Sequence, residues 1–483
     1  MLLKFFYRYT QKYHTLLLVL ICSILFFTTS FVFVQIAPPR GDEPHYLIIS
    51  QTLLKYHSLD VMQDYKNGDY RLFYPIVIAP HVSRNASGQL LPLHSIGGPI
   101  LWLIPFALFG RLGAVLFISL VSVLIILNIY KFLLTMGIRQ SYAFLVSLAF
   151  AIASPLYIYS HLLFIEPIGA LLCIYVFRKA FQENLTISDL VISSVCLGIL
   201  PWVHIRFALL EMILFFALLY KIYEQNKLKN FKYYIYYLLP VTILFVLLEV
   251  YSYKVWGTLN PAINEINDAG KPDKPFAVLP FSGILGVFFD QEYGSLVNFP
   301  LFIFLFVGVV LTLKKKFLAY NLLILTLSIP YILIFTSFRS WSGGWCPPAR
   351  FILVLLPLYS FYLAYALQQI NNILSNLVFG VSVVYGFIYN LLSLKAHLNG
   401  FNVGKGQNET LIYLQTLLHM HRHHLTDYLP SLFLPHQTRL FVAWIGLFVG
   451  LSLLLLFSKN LKVKDGKLRW TLNPTTEQTE KRQ

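Results

Sequence analysis

The sequence predicts an all-α polytopic membrane protein, and three observations predict it. Hydrophobic residues make up 57% of the 483 and charged residues only 12%, and the mean hydropathy of +0.66 lies outside the range of water-soluble domains. Apolar runs recur along the whole chain at about the 20-residue length that crosses a hydrocarbon core of roughly 30 Å. Lysine and arginine concentrate in alternate loops, as they do when basic segments stay on the cytoplasmic side.

In order, the apolar runs fall at 15–37, 113–135, 141–160, 162–181, 187–203, 205–223, 233–256, 297–313, 320–338, 347–367, 371–393 and 437–457. That pattern predicts a bundle of about 12 transmembrane helices. The first run follows Lys4, Arg8 and Lys12 and has no small-residue cleavage site before Arg40, so it reads as a retained helix. Between the first two runs, residues 42–56 and the Pro- and Gly-containing "GGPILWLIPFALFG" (97–110) are too short or too polar to span. They read as helices lying in the interface.

The N-terminus, Lys131/Arg139, Arg178/Lys179, Lys221 to Lys232, Lys314 to Lys316 and the tail from Lys459 then share the cytoplasmic side. The formal charge of +16 follows from that topology and from contact with anionic lipid. No soluble basic domain is present to suggest nucleic acid. The chain divides into a transmembrane domain at 1–458 and a basic cytoplasmic tail at 459–483, whose end "NPTTEQTEKRQ" reads as disordered. Loops 38–112, 257–296 and 394–436 lie on the outer face, where the functional site and its cover are expected. Cys22, Cys173 and Cys196 fall in predicted spans and Cys346 in an outer loop, so no disulfide framework is suggested.

Charged side chains gather where the outer ends of the helices project together. Asp42 and Glu43 in "GDEPHYL" follow the first span, Glu166 in "FIEPIG" joins the third to the fourth, and His204 and Arg206 in "PWVHIRF" join the fifth to the sixth. Asp290 and Glu292 lie in "GVFFDQEYGSLVNFP", and Arg339, Trp341, Trp345 and Arg350 in "FRSWSGGWCPPARF". Each has a plainer reading: an interfacial Arg or Trp anchors headgroups, and an Asp-Glu pair before Pro44 complements a helix N-terminus.

Taken together these residues resemble the GT-C membrane glycosyltransferases, the superfamily of protein O-mannosyltransferases and the lipid A aminoarabinose transferase. The specific element is the Asp-Glu opening "DEPHYLIISQTLLKYHSLD" just after the first helix. "PLHSIGGPILWLIPFALFG" and "SPLYIYSHLLFIEPIGA" are similar to the family's second juxtamembrane element and third-to-fourth helix hairpin, and "FDQEYGSLVNFP" and "WSGGWCPPARF" to segments of bacterial members of unassigned substrate. The resemblance implies transfer of a sugar from a polyprenyl-phosphate donor to a hydroxyl of a glycolipid, glycan or protein on the outer face of a bacterial inner membrane. It implies Asp42 as general base, assisted by Glu43. Glu166 would bind sugar or acceptor hydroxyls. His94, His204, Arg206, Arg339 and Arg350 are the candidates around the donor phosphate, the arginines being able to grip it bidentately. Asp290, Glu292 and Trp345 complete the substrate-binding set. Two departures from the family stand out: only roughly 25 polar residues follow the last span, and Glu stands at 166 where Asp is more usual.

No cofactor is expected, although a divalent cation is an open alternative. "HMHRHH" would place His419 and His423 one turn apart on a helix, a spacing that can chelate zinc, but an amphipathic outer helix accounts for it without metal. Glu211 and Glu249 fall within predicted spans, and buried acids there support a rival reading as a lipid or glycan transporter or flippase. A lipid-linked glycan ligase or polymerase is the third alternative.

Overall fold

The computed structural model describes residues 2–225, 231–263, 280–337, 340–398, 400–420, 424–459, 461–464 and 467–470. Helix α1 (Leu2–Ile36) ends where Pro38 and Pro39 remove the next backbone donors. Gly41 turns the chain at φ +57° and Pro44 starts α2 (Glu43–Tyr56), which His57 closes in a left-handed conformation. The first ten residues of α2 are buried, apolar Tyr46, Leu47, Ile48 and Ile49 among them. The helix is therefore roofed by protein rather than lying free in the interface. After α3 (Met62–Asn67), strands β1 (Val82–Arg84) and β2 (Leu90–Pro92) form an antiparallel hairpin.

Helix α4 (Gly97–Leu101) leads into α5 (Leu103–Thr135), whose axis breaks at Phe109 and Gly110, with Gly110 at φ +57° and ψ −141°. Residues 97–109 are thus a separate element from the span that follows, as the glycine and proline spacing suggests. Six described helical stretches are long and apolar enough to cross a membrane: Tyr13–Ile36, Leu103–Thr135, Phe231–Trp256, Lys315–Thr336, Ile373–Ala396 and Thr438–Ser458. The chain is an integral membrane protein built of helices.

The other apolar runs fold as shorter helices, and proline explains most of the shortening. Run 141–160 becomes α6 (Gln140–Ala153) and α7 (Pro155–Tyr159), divided at Ser154, whose hydroxyl accepts from the Leu156 N–H. Run 162–181 starts four residues late as α8 (Glu166–Ala180), with Pro167 in its first turn. Run 347–367 begins at Pro347 and Pro348 and contains Pro357; it forms two 3-10 turns, Phe351–Val354 and Leu356–Tyr359, before the helix Ser360–Ile370. Such irregular backbone is tolerated at membrane depth only inside protein, and these turns are buried. Helix α8 sits at the centre, against α5, α9 (Ile187–Val203), α10 (Ala208–Glu224) and the turn Phe351–Val354.

Contacts sort the loops into two groups. At one end Arg139 N–H donates to Gln368 Oε1, Leu185 N–H to Gln225 Oε1, and Asn372 Nδ2 to the Ser458 carbonyl. The basic loops lie here. The tail starts with an antiparallel hairpin, Leu461–Lys464 with Lys467–Trp470, which its alternating "LKVK" and "KLRW" favours; "NPTTEQTEKRQ" lies outside the described residues. At the opposite end loops 37–42, 160–165, 204–207, 340–350 and 400–408 meet one another.

Exposed Ser87 belongs to this second group and exposed Glu183 to the first. The native cysteines are buried or half-buried, so background labelling is low. A membrane-impermeant maleimide should reach Ser87→Cys and Lys405→Cys from one compartment and Glu183→Cys only from the other. Labelling of positions 87 and 183 from the same side would contradict the arrangement.

Candidate functional site

The site forms because loop 340–350 closes onto the turn before α2. A Cβ on Gly41 would lie 2.3 Å from the Trp345 carbonyl oxygen, so glycine permits the approach that no other residue allows. On the other side of the contact Ala349 adopts φ +61°, its N–H bonded to the Tyr293 carbonyl. A left-handed alanine costs about 1–2 kcal/mol, and it aims the next side chain inward.

That side chain is Arg350. Its Nη2 donates to Asp42 Oδ2 at 2.5 Å, its Nε to Glu166 Oε1 at 2.9 Å and its Nη1 to the Gly343 carbonyl at 2.7 Å. Arg206 Nη2 donates to the same Glu166 oxygen at 2.5 Å. Two guanidinium groups and two carboxylates thus form one neutral chain drawn from four segments. Glu166 is fully buried and Arg350 is 7% exposed, whereas Asp42 is 22% exposed. Aromatic faces line the cations: Arg350 lies over Phe164 at 4.6 Å and Arg206 over Phe351 at 4.5 Å. Asp42 Oδ1 accepts no hydrogen bond among the described residues, so one carboxylate oxygen is open. Burial alone would raise the Asp42 pKa, but Arg350 and then His94 outweigh it and hold the carboxyl well below the usual carboxylate range. Asp42 is ionised at neutral pH.

Glu43 points the other way. It is fully buried; its carboxylate accepts the Leu163 N–H and the Arg40 N–H, each at 2.9 Å. Burial raises its pKa against the opposing pull of Arg111 and these N–H groups. Glu43 therefore ties the α1–α2 turn to the α7–α8 loop. Glu166, expected to face sugar hydroxyls, instead holds two arginines, with its Oε2 buried and unpartnered among the described residues.

His94 stands beside Asp42 in a group of imidazoles. The hairpin register pairs Val82 with Pro92 and bonds the Leu93 N–H to the His81 carbonyl. His81 Nδ1 thereby comes 3.3 Å from His94 Nε2, and His45 stacks on His81 at 3.8 Å. His204 accepts the Arg206 N–H through Nδ1, and burial, then Arg206 and Arg350, keep its pKa well below the usual imidazole value. It is neutral at pH 7.

Asp290 and Glu292 do not join this cluster. Asp290 Oδ1 accepts the Glu292 and Tyr293 N–H groups and Oδ2 that of Leu432. Burial lifts its pKa to about 7 against those donors. Glu292 accepts the N–H groups of Gly404, Lys405 and Gly406. Both acids clamp outer loops by their backbones, where a substrate-binding role was expected. Trp345 is 66% exposed at the rim. Arg339, His421 and His423 lie outside the described residues. The helix that would align His419 with His423 ends at Leu417, and His419 has φ +52°. Glu211 lies in the first turn of α10, and Glu249 inside the membrane-length helix α11 (Phe231–Trp256), where an acid within a span was expected.

Sequence reasoning missed Arg40, Arg111, His45 and His81. Arg40 and Arg111 adjoin predicted spans, where nothing in the sequence ties them to the acids. Nothing local to His81 marks it, since only the hairpin register brings it to His94.

Neither a protein-family model nor a curated protein matches this sequence. Among solved structures, the chain is similar to ArnT from Cupriavidus metallidurans bound to undecaprenyl phosphate, at 13% identity and a TM-score of 0.46, covering 92% of this chain and 77% of that one. The apo state of the same protein aligns at 13% identity and 0.48, covering 92% and 72%. The apo oligosaccharyltransferase of Archaeoglobus fulgidus aligns at 13% identity and 0.42, covering 84% and 58%.

Removing the carboxylate of Glu166 leaves two arginines, one of them almost wholly buried, without their shared partner. Glu166→Gln should cost about 3–5 kcal/mol, the range for breaking a buried ion pair on one side, as measured by thermal unfolding in detergent. Asp42 carries a depressed folded pKa, so its contribution is complete above its unfolded value of about 3.9 and is lost as pH falls below that. The stability advantage of wild type over Asp42→Asn should be constant from pH 8 to 5. An advantage that disappears within that window would contradict the ion pair.

Proposed function

We propose that this chain is a membrane glycosyltransferase that moves a sugar from a polyprenyl-phosphate donor to an acceptor hydroxyl, with Asp42 as general base. The observation that carries this reading is a carboxylate with one oxygen fixed by Arg350 and the other open, at the edge of a paired charge cluster where helix ends meet. In the reaction the hydroxyl oxygen attacks the anomeric carbon and its proton passes to Asp42. The bond from that carbon to the phosphate oxygen breaks, and the phosphate leaves with the electron pair. Charge grows on the leaving oxygen, so cations fixed beforehand stabilise the transition state most.

Arg350, Arg206 and His94 are the cations in this reading, with Arg339 a further candidate. A resting Asp42 bound to Arg350 is a weak base, because its proton affinity is low. A donor phosphate competing for Arg350 would loosen that pair and raise the carboxylate's basicity when acceptor is in place. Glu166 and Glu43 act through others: the first orients both arginines, the second holds the turn that carries Asp42. His94, Trp202, Leu248, Tyr251 and Trp256 line a small pocket between α4, α9 and α11. The fuller architecture of this reading is about twelve crossings in residues 1–458, a basic cytoplasmic tail at 459–483 and an active site on the outer face of a bacterial inner membrane, under loops 38–112, 257–296 and 394–436. No cofactor is required, because guanidinium groups supply the positive charge. The transporter reading has Glu249 within α11 in its favour, but Glu211 lies at a helix start and neither acid belongs to the charge cluster around Asp42. A glycan ligase or polymerase would use the same chemistry and differ in acceptor.

Asp42→Asn keeps the shape and loses the proton acceptor. It should lower transfer from a polyprenyl-phosphate sugar by about 10²- to 10⁴-fold in protein that still elutes as a folded monodisperse species. Glu43→Gln should act mainly on stability, and wild-type turnover should persist in EDTA. Near-normal turnover by Asp42→Asn would overturn the assignment, and loss of activity in EDTA restored by a divalent ion would overturn the cofactor-free mechanism.

A further inference from the structure

A second cavity, of about 480 Å³, opens beside the site with Gly41 in its wall, one residue from Asp42, and Trp345, five residues before Arg350. Its size falls within the roughly 300–1,000 Å³ of small-molecule sites. Its other walls include Arg40, Tyr74, Phe401, Val403, Lys405 and Glu409. Trp345 offers a broad, largely exposed ring face and Tyr74 a half-buried one, surfaces that stack on the C–H faces of a pyranose. Arg40 gives Nη2 to the Leu398 carbonyl at 2.6 Å and leaves Nε buried without a partner among the described residues. Lys405 adds a second, exposed cation to the lining.

The segment that carries Lys405 is fixed in advance. Glu292 takes the N–H groups of Gly404, Lys405 and Gly406, and Asn402 Nδ2 donates to the Glu292 carbonyl. The clamp gives buried Glu292 a role: it fixes the backbone at Lys405 before ligand arrives, which lowers the ordering cost of binding.

From this we infer that the cleft is the acceptor site and that it takes a saccharide bearing an anionic group, the sugar against Trp345 and Tyr74 and the anion between Arg40 and Lys405. Glu409 is then placed to accept from sugar hydroxyls. The inference rests on the glycosyl-transfer reading and names the class of its acceptor.

Binding rather than turnover tests it. Glucose 6-phosphate, glucose and inorganic phosphate are titrated by equilibrium dialysis against the full chain in phosphatidylcholine nanodiscs. Glucose 6-phosphate should bind at least about tenfold more tightly than either of the others, a difference of about 1.4 kcal/mol. Lys405→Gln should bring it down toward glucose and Trp345→Ala toward inorganic phosphate; both side chains are exposed, so the fold is retained. Equal affinity for glucose and glucose 6-phosphate, or affinities unmoved by both variants, would overturn the proposal. Displacement of the sugar phosphate by phosphatidylglycerol in the disc would also overturn it, making the cleft a lipid headgroup site. A chain that binds as expected but never transfers a sugar would instead sink the glycosyltransferase reading, and the two failures are distinguishable.

Discussion

A guanidinium held between two carboxylates in a nearly dry environment dictates the rest of this structure. Arg350 must meet Glu166 to be buried at all, because an isolated charge there would cost several kcal/mol. Meeting Glu166 places it at the N-terminus of the central helix α8, where Arg206 converges on the same oxygen. The remaining arm of the guanidinium then reaches Asp42, on the only member of the cluster with more than a fifth of its side chain exposed. The charged residues are thus ordered by burial: Glu166 at the bottom, the arginines above it and Asp42 at the opening.

Backbone features around the cluster serve that ordering. Gly41 lets the Trp345 carbonyl approach the α1–α2 turn, and Ala349 accepts a strained conformation immediately before Arg350. Strain of this kind persists where surrounding contacts over-determine it. Here the Tyr293 carbonyl bond and the three bonds of Arg350 do so. Glu43, Asp290 and Glu292 supply a further layer, each a buried carboxylate that gathers backbone N–H groups from a distant loop. A bundle whose short helices are broken by proline needs such ties, because its loops enter the protein instead of running over its surface.

The long spans were legible because length and apolarity act locally, and the turn at Gly110 because glycine and proline mark it. Projection of helix ends was enough to bring Asp42, Glu166, Arg206 and Arg350 to one region. It was not enough to tell which acids face substrate. Asp42 and Glu43 are adjacent at a helix start, where no periodicity distinguishes an open carboxylate from a buried tie. Asp290 and Glu292 in an apolar loop look the same whether they bind hydroxyls or backbone. The run 347–367 read as a span because its hydrophobicity outweighed three prolines, although proline sets the local backbone. His81 owes its place to the register of a hairpin whose strands are three residues each, too short for alternation to show.

The pairing of Arg350 with Asp42 at the opening of the site is measured by a double-mutant cycle on stability, combining Asp42→Asn with Arg350→Met. Contacting charges share an interaction term that independent sites lack. The two changes together should deviate from the sum of the singles by at least about 1 kcal/mol, since removing the carboxylate at 42 costs little once the guanidinium is gone. Additivity within about 0.5 kcal/mol would show two independent residues and would contradict the pairing.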